Sequence, residues 1–172
     1  MSYPRQLSAG ANNAVVALTP TEAGKLFTAD TRSDIGSEAE KMKFANGIND
    51  LLVKFIRLEV HPTLNAEMLV MERLYPIDYR AHEVERRQLW LDVFEDELKA
   101  LHSAGFVHHG LKRPSGIGGQ HFDNILLTDT GLRLVDVGIS VLRHQVGDAL
   151  FKKYLGKELA ELAGFRNYFL NR

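Results

Sequence analysis

The chain predicts an α+β fold, and two patterns carry that expectation. Strand-like alternation fills most of residues 1–74, interrupted by one short helix, and helical periodicity takes over after residue 80 with a single hairpin set inside it. Strands gathered in one half and helices in the other belong to the α+β class rather than to alternating α/β units.

The elements follow in order. Residues 1–31 read as three strands: one ending over 7–10, one at 14–18, and one at 25–30 after the turn Thr19-Pro20-Thr21-Glu22-Ala23-Gly24. Ser37 predicts a helix N-cap, with Glu38 and Glu40 in the first turn and Met42, Phe44 and Ala45 behind them, and the helix ends near Gly47. Residues 52–59 and 67–72 alternate around the turn His61-Pro62-Thr63-Leu64-Asn65 and predict an antiparallel pair. Residues 80–103 predict a helix with Leu89, Leu91, Phe94, Leu98 and Leu101 as its apolar face. Residues 125–127 and 132–135 flank the hairpin turn Thr128-Asp129-Thr130-Gly131, and a last helical region covers about 147–163.

Composition narrows the function classes. At 172 residues, 45% hydrophobic and 25% charged, the chain reads as one soluble domain over 1–172. A net charge of −1 gives no electrostatic case for nucleic acid or an anionic membrane. The absence of cysteine removes disulfides, thiolate catalysis and Cys-zinc sites. No apolar run approaches a membrane span, and Met-Ser-Tyr-Pro-Arg lacks the apolar centre of a secretory signal. The expected location is cytoplasmic, or a host cell reached through a dedicated secretion system that reads a non-cleaved signal.

The chemistry concentrates in residues 101–138. They read Leu-His-Ser-Ala-Gly-Phe-Val-His-His-Gly-Leu-Lys, a Gly-rich insert, then Asp-Asn-Ile-Leu-Leu-Thr-Asp-Thr-Gly-Leu-Arg-Leu-Val-Asp-Val-Gly. This stretch resembles the catalytic and metal-binding core of the protein kinase superfamily: a His-Arg-Asp loop, a Lys two residues on, an Asn opening a strand pair, and Asp-Phe-Gly closing it. His108, Lys112, Asn124, Asp136 and Gly138 fit, while Gly110 stands at the catalytic Asp. The resemblance implies a minimal two-lobed kinase-like fold. Its N-lobe, about 1–74, would hold a five-stranded antiparallel sheet plus one helix, and its truncated helical C-lobe would cover about 75–172. No Ala-Pro-Glu motif follows Gly138, and the remaining chain is too short for a full substrate-binding lobe. Small bacterial kinase-like effectors look similar in this truncation.

The resemblance also implies site residues. Asn124 and Asp136 would hold magnesium, with Lys112 touching the transferred phosphate. Residues 7–15 stand at the Gly-rich phosphate loop, with Gly10 its only glycine, and the adenine would lie between Val15 and a hinge at Glu72–Leu74 behind a Met71 gatekeeper. Residues 24–30 stand where the family ends its third strand in Ala-x-Lys; that alignment puts Asp30 at the Lys position and Glu40 at the helix Glu that normally pairs with it. Lys25, five positions earlier, would face the other side of the sheet. His108 would pack as core under the Asp-x-Gly turn with Phe44 and Val137. His102, His108, His109, His121 and His144 match no helix-borne metal motif. The insert, Arg113 to Asp123, reads as a tolerated surface loop at the mouth of the site, from which His121 or Asp123 could supply an acid or base.

Phosphoryl transfer is mostly positioning and charge neutralisation. With Gly110 and Asp30 at two catalytic positions, the expected function is a pseudokinase acting through a protein partner, with weak or absent Mg-ATP binding and no conventional Ser/Thr kinase activity. The alternatives are an active atypical phosphotransferase or nucleotidyltransferase using Lys112, Asn124 and Asp136, and a small α+β binding module with no catalytic site.

Overall fold

The computed structural model describes residues 6–9, 14–28, 33–112 and 121–171, which leaves Gly10, Asp30 and residues 113–120 of the insert outside. The first half forms a five-stranded sheet of β1 (Gln6–Ala9), β2 (Ala14–Ala17), β3 (Glu22–Phe27), β4 (Phe55–Val60) and β5 (Glu67–Glu72). Its order is β1-β2-β3-β5-β4, and every pairing is antiparallel.

β3 begins earlier than the sequence suggests. Thr19 Oγ1 accepts from the N–H groups of Thr21 and Glu22, and the N–H groups of Leu18 and Thr19 both donate to the Glu22 carbonyl. The reversal is therefore complete by Glu22, and Ala23 and Gly24 are strand residues rather than turn residues. Gly24 is glycine because Met68 of β5 crosses it: an added Cβ would collide with the Met68 sulfur. The expected strand at 25–30 is corrected to Glu22–Phe27.

Helix α1 (Ile35–Asn46) is capped by Asp34, not Ser37: Asp34 Oδ2 accepts the Ser37 N–H at 2.8 Å. Its buried stripe is Glu38, Ala39, Met42 and Ala45, so a carboxylate faces inward. Beyond α1, Asn46 fixes the connector to β4. Its amide donates to the carbonyls of Leu52 and Val53, and its oxygen accepts the Phe55 N–H at 2.9 Å. Leu51, Leu52 and Val53 are buried and pair with Leu134 instead of β5, which is why β4 starts at Phe55 rather than at 52.

The second half holds α2 (Val84–Ala104), β6 (Phe106–Val107), the hairpin β7 (Ile125–Thr128) and β8 (Gly131–Leu134), β9 (Val141–Leu142), α3 (Arg143–Val146) and α4 (Asp148–Leu170). The buried face of α2 steps through Arg87, Leu91, Phe94, Leu98 and Leu101. Leu89 falls off that four-three spacing and is 62% exposed, which corrects its expected place in the core. Arg87 takes the buried position at the helix start because its guanidinium reaches the carbonyls of His82 and Phe169 at 3.0 Å. Helix α4 continues past residue 163 to Leu170, since Phe165 and Phe169 prolong its buried stripe. One apolar cluster joins both halves, with Phe27, Met42 and Leu69 on one side and Leu91, Phe94, Leu134 and Phe165 on the other. No helix among the described residues is long and apolar enough to cross a membrane.

Candidate functional site

The site grows from the position of β3. With the strand starting at Glu22, Ala23, Lys25 and Phe27 share one face, and Phe27 enters the core beneath α1. Lys25 therefore points at α1, and its Nζ lies 2.7 Å from Glu38 Oε1 and 3.4 Å from Asp136 Oδ1. Lys25 and Glu38 thus form an ion pair, while Asp30, the residue expected at the cation position, lies outside the described residues. Glu40, two residues along the helix, turns to solvent and accepts from Gln145 Nε2 at 3.3 Å. Glu38 is 1% exposed, and its Oε2 has no hydrogen-bond partner among the described residues. A buried carboxylate in that state depends on its cation.

Asp136 follows β8 in a left-handed conformation, φ 65°, which turns its carboxylate back so that Oδ1 accepts the Gly138 N–H at 3.0 Å. Burial alone would raise its pKa. The Lys25 ammonium, the Gly138 N–H and His108 together outweigh that and hold it below the ordinary carboxylate value, so it is ionised at neutral pH. Gly138 fits close against this turn, where an added Cβ would lie 3.3 Å from Asp136 Oδ1. His108 is fully buried, and its Nε2 meets the Val135 carbonyl at 2.8 Å. Val137 is buried beside it, whereas Phe44 is half-buried and finds an aromatic partner in His144 instead.

The β7–β8 hairpin brings Asn124 and Asp136 together. Asn124 directly precedes β7, Asp136 follows β8 after one residue, and the Val135 N–H donates to the Asn124 carbonyl at 2.9 Å. The Asn124 side chain is buried and donates to the Gly110 carbonyl at 3.0 Å. Gly110 therefore borders the same site; a Cβ there would lie 3.3 Å from Asn124 Nδ2. Lys112 is exposed at the end of this loop, with its N–H on Glu161 Oε2. On the other wall, Val15 is the cross-strand partner of Lys25. The Glu72 carboxylate is committed to Arg133 and to the Lys54 N–H, and Leu74 packs half-buried on the core, so these two residues offer backbone rather than side-chain polar groups. Of the insert, His121 is exposed, and Asp123 lines a hollow with Pro76, Tyr79, Phe122 and Tyr168.

One residue that the sequence reading passed over organises the loop. Glu158 of α4 is 1% exposed and accepts three hydrogen bonds, from His108 N–H at 3.2 Å, His109 N–H at 2.7 Å and His102 Nε2 at 2.6 Å. It holds His109 in a left-handed conformation, φ 64°, with the imidazole on Tyr154 at a centroid distance of 4.3 Å. Burial first, then the nearby Lys157 ammonium, pushes the His109 pKa down, so the ring is neutral at pH 7. The signal was an acid lying on the apolar stripe of Phe151, Phe165 and Phe169. Replacing Glu158 by Ala strands two backbone donors and a buried His; a loss on the order of 3 kcal/mol is expected in urea unfolding. Glu158→Gln keeps one acceptor and should lose less. Among the described residues no three His, Asp or Glu side chains gather as a metal site.

No family model matches this chain, and no curated protein matches it. Among solved structures, the kinase PK-1 of Cydia pomonella granulovirus superposes with a TM-score of 0.56 at 15% identity, over 80% of this chain and 53% of that one. The chain thus spans about half the length of the viral protein, and what the two share is a kinase-like fold.

Proposed function

We propose that this chain is a compact, kinase-like pseudokinase domain that binds Mg-ATP and acts by engaging a protein partner. The observation that carries the reading is the Lys25–Glu38–Asp136 network, whose buried ammonium would neutralise phosphate charge beside Asp136. It moves the expectation from weak or absent nucleotide binding to real binding. Asn124 and Asp136 would hold the magnesium, an oxygen-seeking cation that neutralises phosphate charge. Val15 and the backbone of Glu72–Leu74 would flank the adenine. Gly110 offers no carboxylate to orient an attacking hydroxyl, so turnover on conventional substrates is absent. Calorimetric titration should show Mg-ATP binding that EDTA removes and that Asp136→Ala abolishes. Binding that survives both changes would refute the metal ligands.

The atypical-transferase reading is kept as the second one, because the same network leaves Gly110 as the one departure from the family's catalytic groups in the described part of the site. Transfer of ³²P from labelled ATP, lost in Asp136→Ala, would promote it over the first.

A further inference from the structure

We propose that β4 is the contact through which two copies of this chain associate, pairing antiparallel about a two-fold axis at Leu58 and joining their sheets edge to edge. The inference stands on β4 and is independent of the nucleotide site proposed above.

β4 closes the five-stranded sheet on one side, and among the described residues no strand pairs with its outer edge. The direction of its backbone follows from the turn. The His61 N–H donates to the Ala66 carbonyl at 2.9 Å, so His61 faces β5, and alternation makes Glu59 and Arg57 do the same. Leu58 and Val60 therefore turn their N–H and C=O groups outward, an open template for another strand. Their side chains are open as well. Leu58 pairs with Leu69 on the α1 side of the sheet, yet it is 47% exposed, and Val60 is 59% exposed. Helix α1 thus leaves this rim uncovered.

Edge strands are commonly blunted by charge, and β4 carries Arg57 and Glu59 on the face opposite Leu58. The order of the two charges decides what they do. Ile56-Arg57-Leu58-Glu59-Val60 is self-complementary when read antiparallel. With Leu58 facing its counterpart, Arg57 meets Glu59 twice and Ile56 meets Val60 twice. The two Leu58 residues would exchange both backbone hydrogen bonds. Arg57 and Glu59 would fall at the non-hydrogen-bonded pairs, where side chains approach most closely. A register shifted by two residues sets arginine against arginine or glutamate against glutamate, which is unfavourable. Arg57 also bonds Glu22 and Glu59 of its own chain, so the pairs across the axis set register more than strength.

The matched stretch is short. The register of β4 on β5 shifts between Phe55 and Arg57, a bulge that ends the regular edge, and the turn at His61-Pro62 ends it on the other side. A contact of about five residues buries less than the roughly 1,200 Å² of a stable complex, so the dimer is weak and concentration-dependent.

Sedimentation of the full chain should show the apparent mass rising from that of one chain toward that of two between about 10 and 500 µM. Leu58→Lys should hold it at the single-chain mass. Arg57→Glu or Glu59→Arg alone should weaken association about tenfold or more. An equimolar mixture of the two charge reversals should associate again, because every pair across the axis then joins opposite charges. Position is checked without any charge reversal. The chain has no cysteine, so Leu58→Cys should cross-link to a dimer under mild oxidation, the two thiols lying within disulfide reach. Val60→Cys should not, since the same register sets its two copies roughly 14 Å apart. A wild type that stays at the single-chain mass overturns the proposal. So does a mixture of folded charge reversals that fails to associate, or equal cross-linking at both cysteine positions. If Arg57→Glu does not fold, the cysteine pair decides alone.

Discussion

Replacing Lys25 by Met should cost about 3 kcal/mol of stability, roughly 6–12 °C in melting temperature, and should remove Mg-ATP binding. The size of the effect comes from Glu38. Its carboxylate is 1% exposed, one oxygen is bonded to Lys25 at 2.7 Å, and the other has no hydrogen-bond partner among the described residues. Taking away the ammonium leaves a buried charge that must either stay ionised without compensation or take up a proton, and both are costly. The double variant Lys25→Met with Glu38→Met should recover most of the stability, because an apolar pair of similar volume replaces a pair that is expensive to desolvate. It should not recover nucleotide binding. That split separates the two roles of the lysine: structural compensation of Glu38, and charge offered to phosphate beside Asp136. A Lys25→Met protein that melts like wild type would show that Glu38 is solvated or neutral, and the site would need redrawing.

The difference between the residues legible in the sequence and those that were not has a physical cause. Asn124 and Asp136 were legible because a hairpin with clear alternation and a Thr-Asp-Thr-Gly turn fixes its own ends, and the two residues flank it. Lys25 was misplaced because Gly24 looks like turn punctuation. In fact it is a packing glycine under Met68, and the turn closes around Thr19. Starting the strand at 25 and ending it at 30 drew the reading to Asp30 and Glu40, two carboxylates, and away from Lys25 and Glu38, which form an ion pair. An Ala-x-Lys pattern stands at Ala23-Gly24-Lys25. Leu89 was assigned to the core by hydrophobicity alone, although Arg87 completes the spacing better and has carbonyl partners that only tertiary structure supplies. Glu158 showed only as an acid on the apolar stripe of α4; its partners, backbone N–H groups and an imidazole some fifty residues away, are announced by no local pattern.

Gly110→Asp should then convert the domain into a measurable phosphotransferase, raising transfer from ATP by about 10²-fold or more over the native chain. The other groups are in place: Lys25 against Glu38 and Asp136, and Asn124 bonded to the very residue being changed. No compensating change at residue 30 is needed, since the cation is Lys25. A Cβ at Gly110 would lie 3.2 Å from His108 Cε1 and 3.3 Å from Asn124 Nδ2, so its neighbours must yield by a few tenths of an ångström. Gly110→Asn tests whether that side chain acts through its charge: it makes the same steric demand without a proton acceptor, and it should stay at background. Both variants should bind Mg-ATP like the native chain, which gives a folding control independent of turnover. Activity in Gly110→Asp that exceeds the native chain's and disappears with Asp136→Ala would support the proposed roles of both positions. An inert variant that still binds nucleotide would place the block elsewhere than residue 110. Partner binding would then be the role left for the assembled site.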